Sequence, residues 1–254
     1  MPLPETTPAD LARHLDALGV RPGNDIVVHS SLASFGRLEG GAEGVYAVLR
    51  RAVGPAATIA VPTYTFRLDP NAVFDPKRSP AMGMGVLSEH VRTRPEARRS
   101  WCPTHSHAAI GPKAAILRQA LNTNAFGPGS DFAAFAEHGF TLVMLGCDFL
   151  AGSTYVHHVE ACLNVPYRDW RTLERTVMVG GGERPARCRY YARRDRSVAE
   201  NFAPVETRLF DAGAMTSAPC ALGRSHLARL ADVHAHTAAL LAADPFAVVP
   251  RQSA

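Results

Sequence analysis

Apolar and polar positions follow two rhythms along the chain, and the two rhythms take turns. Residues 8–18 place Leu11, Leu15 and Leu18 on one face at helical spacing. Thr7 is the expected cap, Pro8 the first helical residue and Gly19 the stop. Residues 25–29 then carry Ile26, Val27 and Val28 in a short apolar run, the pattern of a buried strand. The same reasoning predicts a helix over 42–53, a strand over 58–63, a helix over 84–92 and a strand over 106–110. A helix over 114–121, a helix capped by Ser130 or Asp131 and running through His138, and an apolar strand over 140–145 complete this series. Such alternation argues for an α/β fold: a mainly parallel central sheet with helices on both faces. Beyond Arg171 the texture changes. Residues 176–179, the turn Gly180-Gly181-Gly182 and residues 186–191 read as a β-hairpin, and 202–212 and 225–243 read as helices. No linker marks residue 171, so residues 1–254 read as a single domain with a C-terminal hairpin and helices.

Candidate chemistry concentrates after the strand over 140–145. Gly146 ends it, a loop with Gly152 follows, and Ser153 or Thr154 is placed to cap a helix. On that helix His157 and Glu160 lie three residues apart and share a face. An imidazole titrates near neutrality and can take a proton from an amine or hydroxyl, while a carboxylate can hold the ring. An ordinary polar helix face gives the same pattern, and His158 points elsewhere. A His-x-x-Glu pair also suits a metal, but a zinc site needs three or more ligands and no second pair is evident, so no metal is expected. Cys147 or Ser153 beside His157 offers a nucleophile for a hydrolase reading; a Cys after a buried strand is also an ordinary small core residue.

Composition narrows the classes. Among 254 residues, 46% are apolar, enough for a substantial core, and no run is long enough to span a membrane. The first residues lack the basic start and apolar stretch of a signal peptide, so a cytoplasmic location is expected. Five cysteines without a Cys-x-x-Cys argue against a disulfide framework and a zinc ribbon. The net charge of +4 is modest, with arginines clustered at 92–99 and 184–196. Nucleic acid is one partner for such patches; the phosphates of a cofactor such as coenzyme A are the preferred one.

Two loops and a histidine pair add to this. His29, Ser30, Ser31, Leu32, Arg37 and Gly41 lie in a small-residue segment that joins a strand to a helix start, where backbone amides favour an anion. It is neither a Walker loop nor Gly-x-Gly-x-x-Gly. The long loop over 66–80 carries Asp69 and Asp75, which suit a cationic substrate group or plain solvation. His105 and His107 alternate at the start of a strand and share a face, which suits metal ligation or, more commonly, plain hydrogen bonding.

Laid out in order, these segments carry a resemblance. The chain resembles the aminoglycoside 3-N-acetyltransferase family, an antibiotic N-acetyltransferase fold distinct from the GNAT superfamily. The likeness runs from about Leu11 to Val248. It rests on the loop from Val27 to Gly41, Val61-Pro62-Thr63-Tyr64-Thr65-Phe66, Phe74-Asp75-Pro76 with Ser79-Pro80, Pro103-Thr104-His105-Ser106 through Gly111, Phe126-Gly127-Pro128-Gly129-Ser130, and Leu145-Gly146 with Thr154-x-x-His157-x-x-Glu160. The resemblance implies acetyl transfer from acetyl-CoA to a primary amine by direct attack. It implies His157 as the general base, and Glu160 orienting it or accepting the amine. It places the loop from His29 to Gly41 on the pantetheine and phosphates, Ser106 near the thioester, and Tyr64 and Asp75 with Glu160 around the substrate. The expected partners are a small-molecule amine and acetyl-CoA; a homodimer is an open expectation, and neither nucleic acid nor membrane is expected. Two positions depart from the family pattern. Cys102 stands where a His is common, and His107 where an apolar residue is usual. Aminoglycosides are polycations that favour an acidic cleft. A basic chain therefore leaves a biosynthetic amine as an alternative acceptor, and a non-catalytic CoA-binding protein as another reading.

Overall fold

The computed structural model describes residues 3–69, 71–195 and 197–250; Arg196, the last of the second arginine cluster, lies outside them. Strand β1 (Glu5–Thr6) leads into helix α1 (Pro8–Leu18). The Thr7 hydroxyl accepts from the Asp10 amide and Asp10 answers on the Thr7 amide, while Gly19 closes the helix in the left-handed region. Leu11, Leu15 and Leu18 are all buried, worth roughly 1.5–3 kcal/mol apiece. Next come β2 (Ile26–Ser30), β3 (Arg37–Leu38), α2 (Gly41–Val53), β4 (Ile59–Pro62), β5 (Val73–Phe74) and α3 (Gly85–Thr93). The middle of the chain supplies β6 (Arg98–Arg99), β7 (His107–Ile110), β8 (Asn122–Asn124), α4 (Asp131–Glu137), β9 (Thr141–Leu145), α5 (Phe149–Gly152) and α6 (Tyr155–Leu163). The last third gives β10 (Arg168–Val179), β11 (Gly182–Arg193), α7 (Ala203–Asp211), β12 (Met215–Cys220), β13 (Gly223–Arg229) and α8 (Leu230–Ala243).

Seven strands form the main sheet in the order β12-β13-β9-β2-β4-β7-β6. The α/β class stands, and the three central strands β9, β2 and β4 run parallel. Both flanks are antiparallel, so the sheet is mixed, with a parallel centre. Period-two alternation sorts its side chains between two cores. Ile26, Val28, Val143 and Leu145 pack with α1, α2 and α3, whereas Val27, Leu142 and Met144 pack with α4, α6, α7 and α8. A second sheet, β5-β10-β11-β8, is built on a hairpin with twelve-residue arms, longer than the alternation suggests.

Two predicted helices are corrected. The segment over 114–121 is only a 3-10 turn, Pro112–Ile116, before the chain enters β8. The helix over 225–243 begins at Leu230; residues before it form β13. That strand owes its shape to the free edge of β9, where His226 pairs with Met144 and Ala228 with Leu142. Tertiary pairing of this kind overrides local preference.

Gly146 joins the two features on which the site depends. It ends β9 with φ +69, and a Cβ there would lie 2.7 Å from Ser31 O and 2.9 Å from the Phe35 ring. Its carbonyl accepts from the Ser34 hydroxyl at 2.6 Å and its amide donates to Ser225 Oγ at 2.9 Å. Gly146→Ala is expected to push the Ser31–Ser34 backbone away and cost about 2–4 kcal/mol, combining left-handed strain with overpacking. Urea unfolding measures this; an unmoved midpoint would show that the loop yields freely.

Candidate active site

The helix that carries the His-x-x-Glu pair is entered through a one-turn helix, not a simple loop. Asp148 caps α5 by accepting from the Ala151 amide at 2.7 Å. The expected Ser153 or Thr154 cap is absent. Thr154 is itself helical, and the Ser153 hydroxyl donates to Phe149 O at 2.5 Å. The two short helices run head to tail, and α6 ends on Asn164 in the left-handed region, which turns the chain back toward its own face.

On α6 the His157 Nδ1 to Glu160 Oε2 distance is 2.6 Å. Glu160 is fully buried, and its other oxygen, Oε1, accepts from the Tyr167 hydroxyl at 2.7 Å. Arg168 Nε lies 3.0 Å from Oε2, close enough for an ion pair but off the hydrogen-bond axis. Arg168 Nη2 is 3.0 Å from both His157 Nδ1 and Glu200 Oε1. One ring nitrogen cannot donate to Glu160 and also accept from Arg168; the shorter contact, to a carboxylate, sets the assignment. Nδ1 therefore holds the proton and Nε2 keeps its lone pair. Nε2 faces Glu200 Oε1 at 3.6 Å, and 16% of the His157 side chain is exposed. The edges of Phe126 and Phe202 confine the ring, with centroids 5.6 and 5.4 Å away. Burial pushes the Glu160 carboxyl up, but the His157 ring, the Arg168 guanidinium and the Tyr167 hydroxyl outweigh it and hold the group below its usual range.

Tyr167, Arg168 and Glu200 were not among the sequence candidates. The first two lie just beyond Asn164, at the start of the hairpin. Glu200 had no local signal at all.

His158, by contrast, is a satisfied core histidine that accepts from the Gly127 amide at 3.2 Å, and burial lowers it to about 4. His107 faces Asp131 at 3.1 Å with both side chains buried; Asp131 also accepts from the Ser100 hydroxyl at 2.6 Å. His105 precedes the strand and packs instead against Phe126 and Tyr64, at 4.6 and 4.9 Å between centroids. His105 and His29 are each lowered to about 3, first by burial and then by neighbouring imidazoles, so both rings stay neutral. Among the described residues no group of three His, Cys, Asp or Glu side chains is placed to hold a metal ion.

The other sequence candidates divide. In the first loop the Ser31 amide donates to Leu145 O at 2.9 Å, Ser30 ends β2, and Leu32 packs on the core shared with α1, α2 and α3. Gly40 and Gly41 open α2 with positive φ, and among the described residues no side chain caps its start. Arg37 forms an exposed ion pair with Glu5 at 3.0 Å. Ser106 is fully buried, its hydroxyl donating to Thr63 O at 2.7 Å and accepting from Arg99 Nε at 3.1 Å. Tyr64 is buried with its hydroxyl 3.4 Å from His107 Nε2. Asp75 accepts from the Lys77 and Arg78 amides, and Asp69 from the Asn71 amide, so both acids build turns. Cys147 donates to His29 O at 3.7 Å, and burial followed by the Asp148 charge pushes its thiol up to about 12. Neither Cys147 nor Ser153 bonds to His157, which removes the geometry a hydrolase dyad needs. Cys102 lies 3.6 Å from Cys188, both free thiols.

A cleft of about 560 Å³ is lined by Tyr167, by Arg193, whose Nε lies 3.4 Å from Glu200 Oε1, and by Val198, Phe246 and Val249. Another hollow, about 510 Å³ and lined by Arg118, Asn124, Arg187 and Arg189, shares no residue with the network.

The sequence profile described as aminoglycoside 3-N-acetyltransferase matches residues 27–242, from β2 into α8. The chain belongs to the aminoglycoside 3-N-acetyltransferase family. Among curated members it is 36% identical over 187 residues to aminoglycoside N(3)-acetyltransferase III of a Salmonella species, covering 66% of this chain and 65% of that protein. It is 32% identical over 190 residues to aminoglycoside N(3)-acetyltransferase VII of Streptomyces paromomycinus, covering 67% of this chain and 66% of that one. The alignments thus span just under two thirds of these relatives. Among solved members, AAC-IIIb in a binary complex with CoASH superposes with a TM-score of 0.81 at 28% identity, over 93% of this chain and 96% of that one. A variant of AAC(3)-IVa in complex with a gentamicin gives 0.82 at 31% identity, over 96% and 91%. In this family member no helix of the described residues is long and apolar enough to cross a membrane.

Proposed function

We propose that this family member transfers an acetyl group from acetyl-CoA to a primary amine of an aminoglycoside, with His157 as general base and Glu160 as the group that orients it. The observation that carries this is the His157–Glu160 contact of 2.6 Å, which fixes the tautomer and turns the basic Nε2 away from the buried carboxylate. A primary amine is protonated at neutral pH and cannot attack until a proton is removed. His157 accepts that proton, and the developing imidazolium is stabilised by the ionised Glu160. Acetyl-CoA supplies an activated carbonyl with a thiolate leaving group. Overall, ammonium and thioester give amide, free thiol and one proton. The uncapped start of α2 behind Gly40 and Gly41 suits the phosphates of CoA, and the binary complex of AAC-IIIb with CoASH supports that co-substrate. Ser106 serves as a brace, because its hydroxyl is already engaged on both sides. Direct transfer is favoured because no nucleophile bonds to His157 among the described residues.

Free-thiol release from acetyl-CoA tests this across gentamicin, sisomicin and a set of amino acids. Release is expected with the two aminoglycosides, and intact-mass measurement after acetyl-CoA alone is expected to show no acetyl adduct. Release with amino acids only would reassign the acceptor to a biosynthetic amine. An adduct at Cys147 or Ser153 would overturn the direct route.

A further inference from the structure

We propose that Glu200 is the carboxylate that receives the acceptor's ammonium group in front of His157. The proposal rests on the reading of His157 as the base and assigns the amine-accepting role to one of two acids. Glu160 cannot fill it. That side chain is fully buried, Oε2 is taken by His157 and Arg168, and Oε1 by Tyr167. Glu200 approaches the other ring nitrogen. Its Oε1 lies 3.6 Å from Nε2, beyond hydrogen-bond length, and 26% of its side chain is exposed.

The position is built. Arg168 Nη2 and Arg193 Nε approach the same oxygen at 3.0 and 3.4 Å, and Arg168 spans Glu160 and Glu200 together. The backbone on either side is held as well: Arg193 donates to Val198 O, and the Asn201 amide donates to Val248 O at 2.9 Å. Phe126 and Phe202 close against the His157 ring. An ammonium seated on Glu200 therefore has a proton within reach of Nε2. Proton transfer breaks one N–H bond of the substrate and forms Nε2–H. The positive charge moves from the amine to an imidazolium with Glu160 at one nitrogen and Glu200 at the other. Both carboxylates favour that charge, so Glu200 binds the amine before the transfer and stabilises the base after it.

Steady-state kinetics of Glu200→Gln and Glu200→Asp test this, with the amine and acetyl-CoA varied separately. A charge-assisted hydrogen bond lost to the amine predicts a rise of about 10- to 100-fold in the amine KM of Glu200→Gln. The acetyl-CoA KM is expected to stay put, and Glu200→Asp is expected to recover part of the loss by keeping the charge. An unmoved amine KM overturns the proposal, as does a lower one, which would make Glu200 a plug over the base. A parallel rise in both KM values with a lowered unfolding midpoint would reduce Glu200 to a brace for Arg168 and also overturns it. A wild type that turns over no amine sinks the parent reading too, whereas turnover with an unmoved amine KM sinks only this one.

Discussion

Replacing His157 by alanine is expected to lower amine-dependent thiol release by about 10²- to 10⁴-fold at neutral pH. The size follows from what the ring alone supplies. Nδ1 is committed to Glu160, which leaves Nε2 as the basic atom of a ring packed against Phe126 and Phe202. The structural cost of the change is smaller than its chemical cost. The ring is partly exposed, and Glu160 keeps Arg168 and Tyr167 as partners when it is gone. The unfolding midpoint should therefore move little while the rate collapses. The residual rate should climb with pH, since the variant depends on the small fraction of amine that is free in solution. Thiol-release rates for both proteins over a pH series check this. An unchanged rate at neutral pH would remove His157 from the chemistry, and a flat pH dependence in the variant would remove deprotonation from its role.

Glu160→Gln is expected to damage stability and rate together. Breaking a buried ion pair by neutralising one partner typically costs about 3–5 kcal/mol, because the other charge stays buried without full compensation. Here that charge is the Arg168 guanidinium, 5% exposed, left with the Glu200 carboxylate and the Tyr191 carbonyl. The Gln amide can still meet Tyr167, so the smaller end of the range is expected. The pH dependence has a definite sense. The folded-state carboxyl is held below its ordinary value, so its stabilisation is complete above the usual carboxylate range and is lost as pH falls through the lowered value. The gap between wild type and Glu160→Gln should therefore close in acid. Urea unfolding at neutral and acidic pH measures the gap, and one that persists undiminished in acid would show that the charge is not its source. The rate should fall as well, since the amide no longer favours the charged ring.

Sites of this kind are partly legible from local pattern. The His157–Glu160 pair was visible because residues three apart on a helix must meet, and α6 exists because its apolar positions are set locally. The cap was misplaced because Asp148 nucleates a separate turn first, so Ser153 and Thr154 fall inside a helical run. Asp69 and Asp75 suit a cation or plain solvation from local pattern, and in the fold each accepts from amides two or three residues on, as loop acids commonly do.

Hydrophobic rhythm, turn residues and caps were enough to set α1, β2, α2, β4, β9, the two-sided sheet and the facing of His157 toward Glu160. These depend on neighbours within one turn or one strand, and such interactions are written in adjacent letters. Assembly in three dimensions alone decided that β13 closes on the edge of β9, that the sheet is antiparallel at its flanks, and that Tyr167, Arg168 and Glu200 converge on the pair. Charges as distant in the chain as His157 and Glu200 meet only when separate elements dock, and the energy that brings them together is spread over cores that no short window contains.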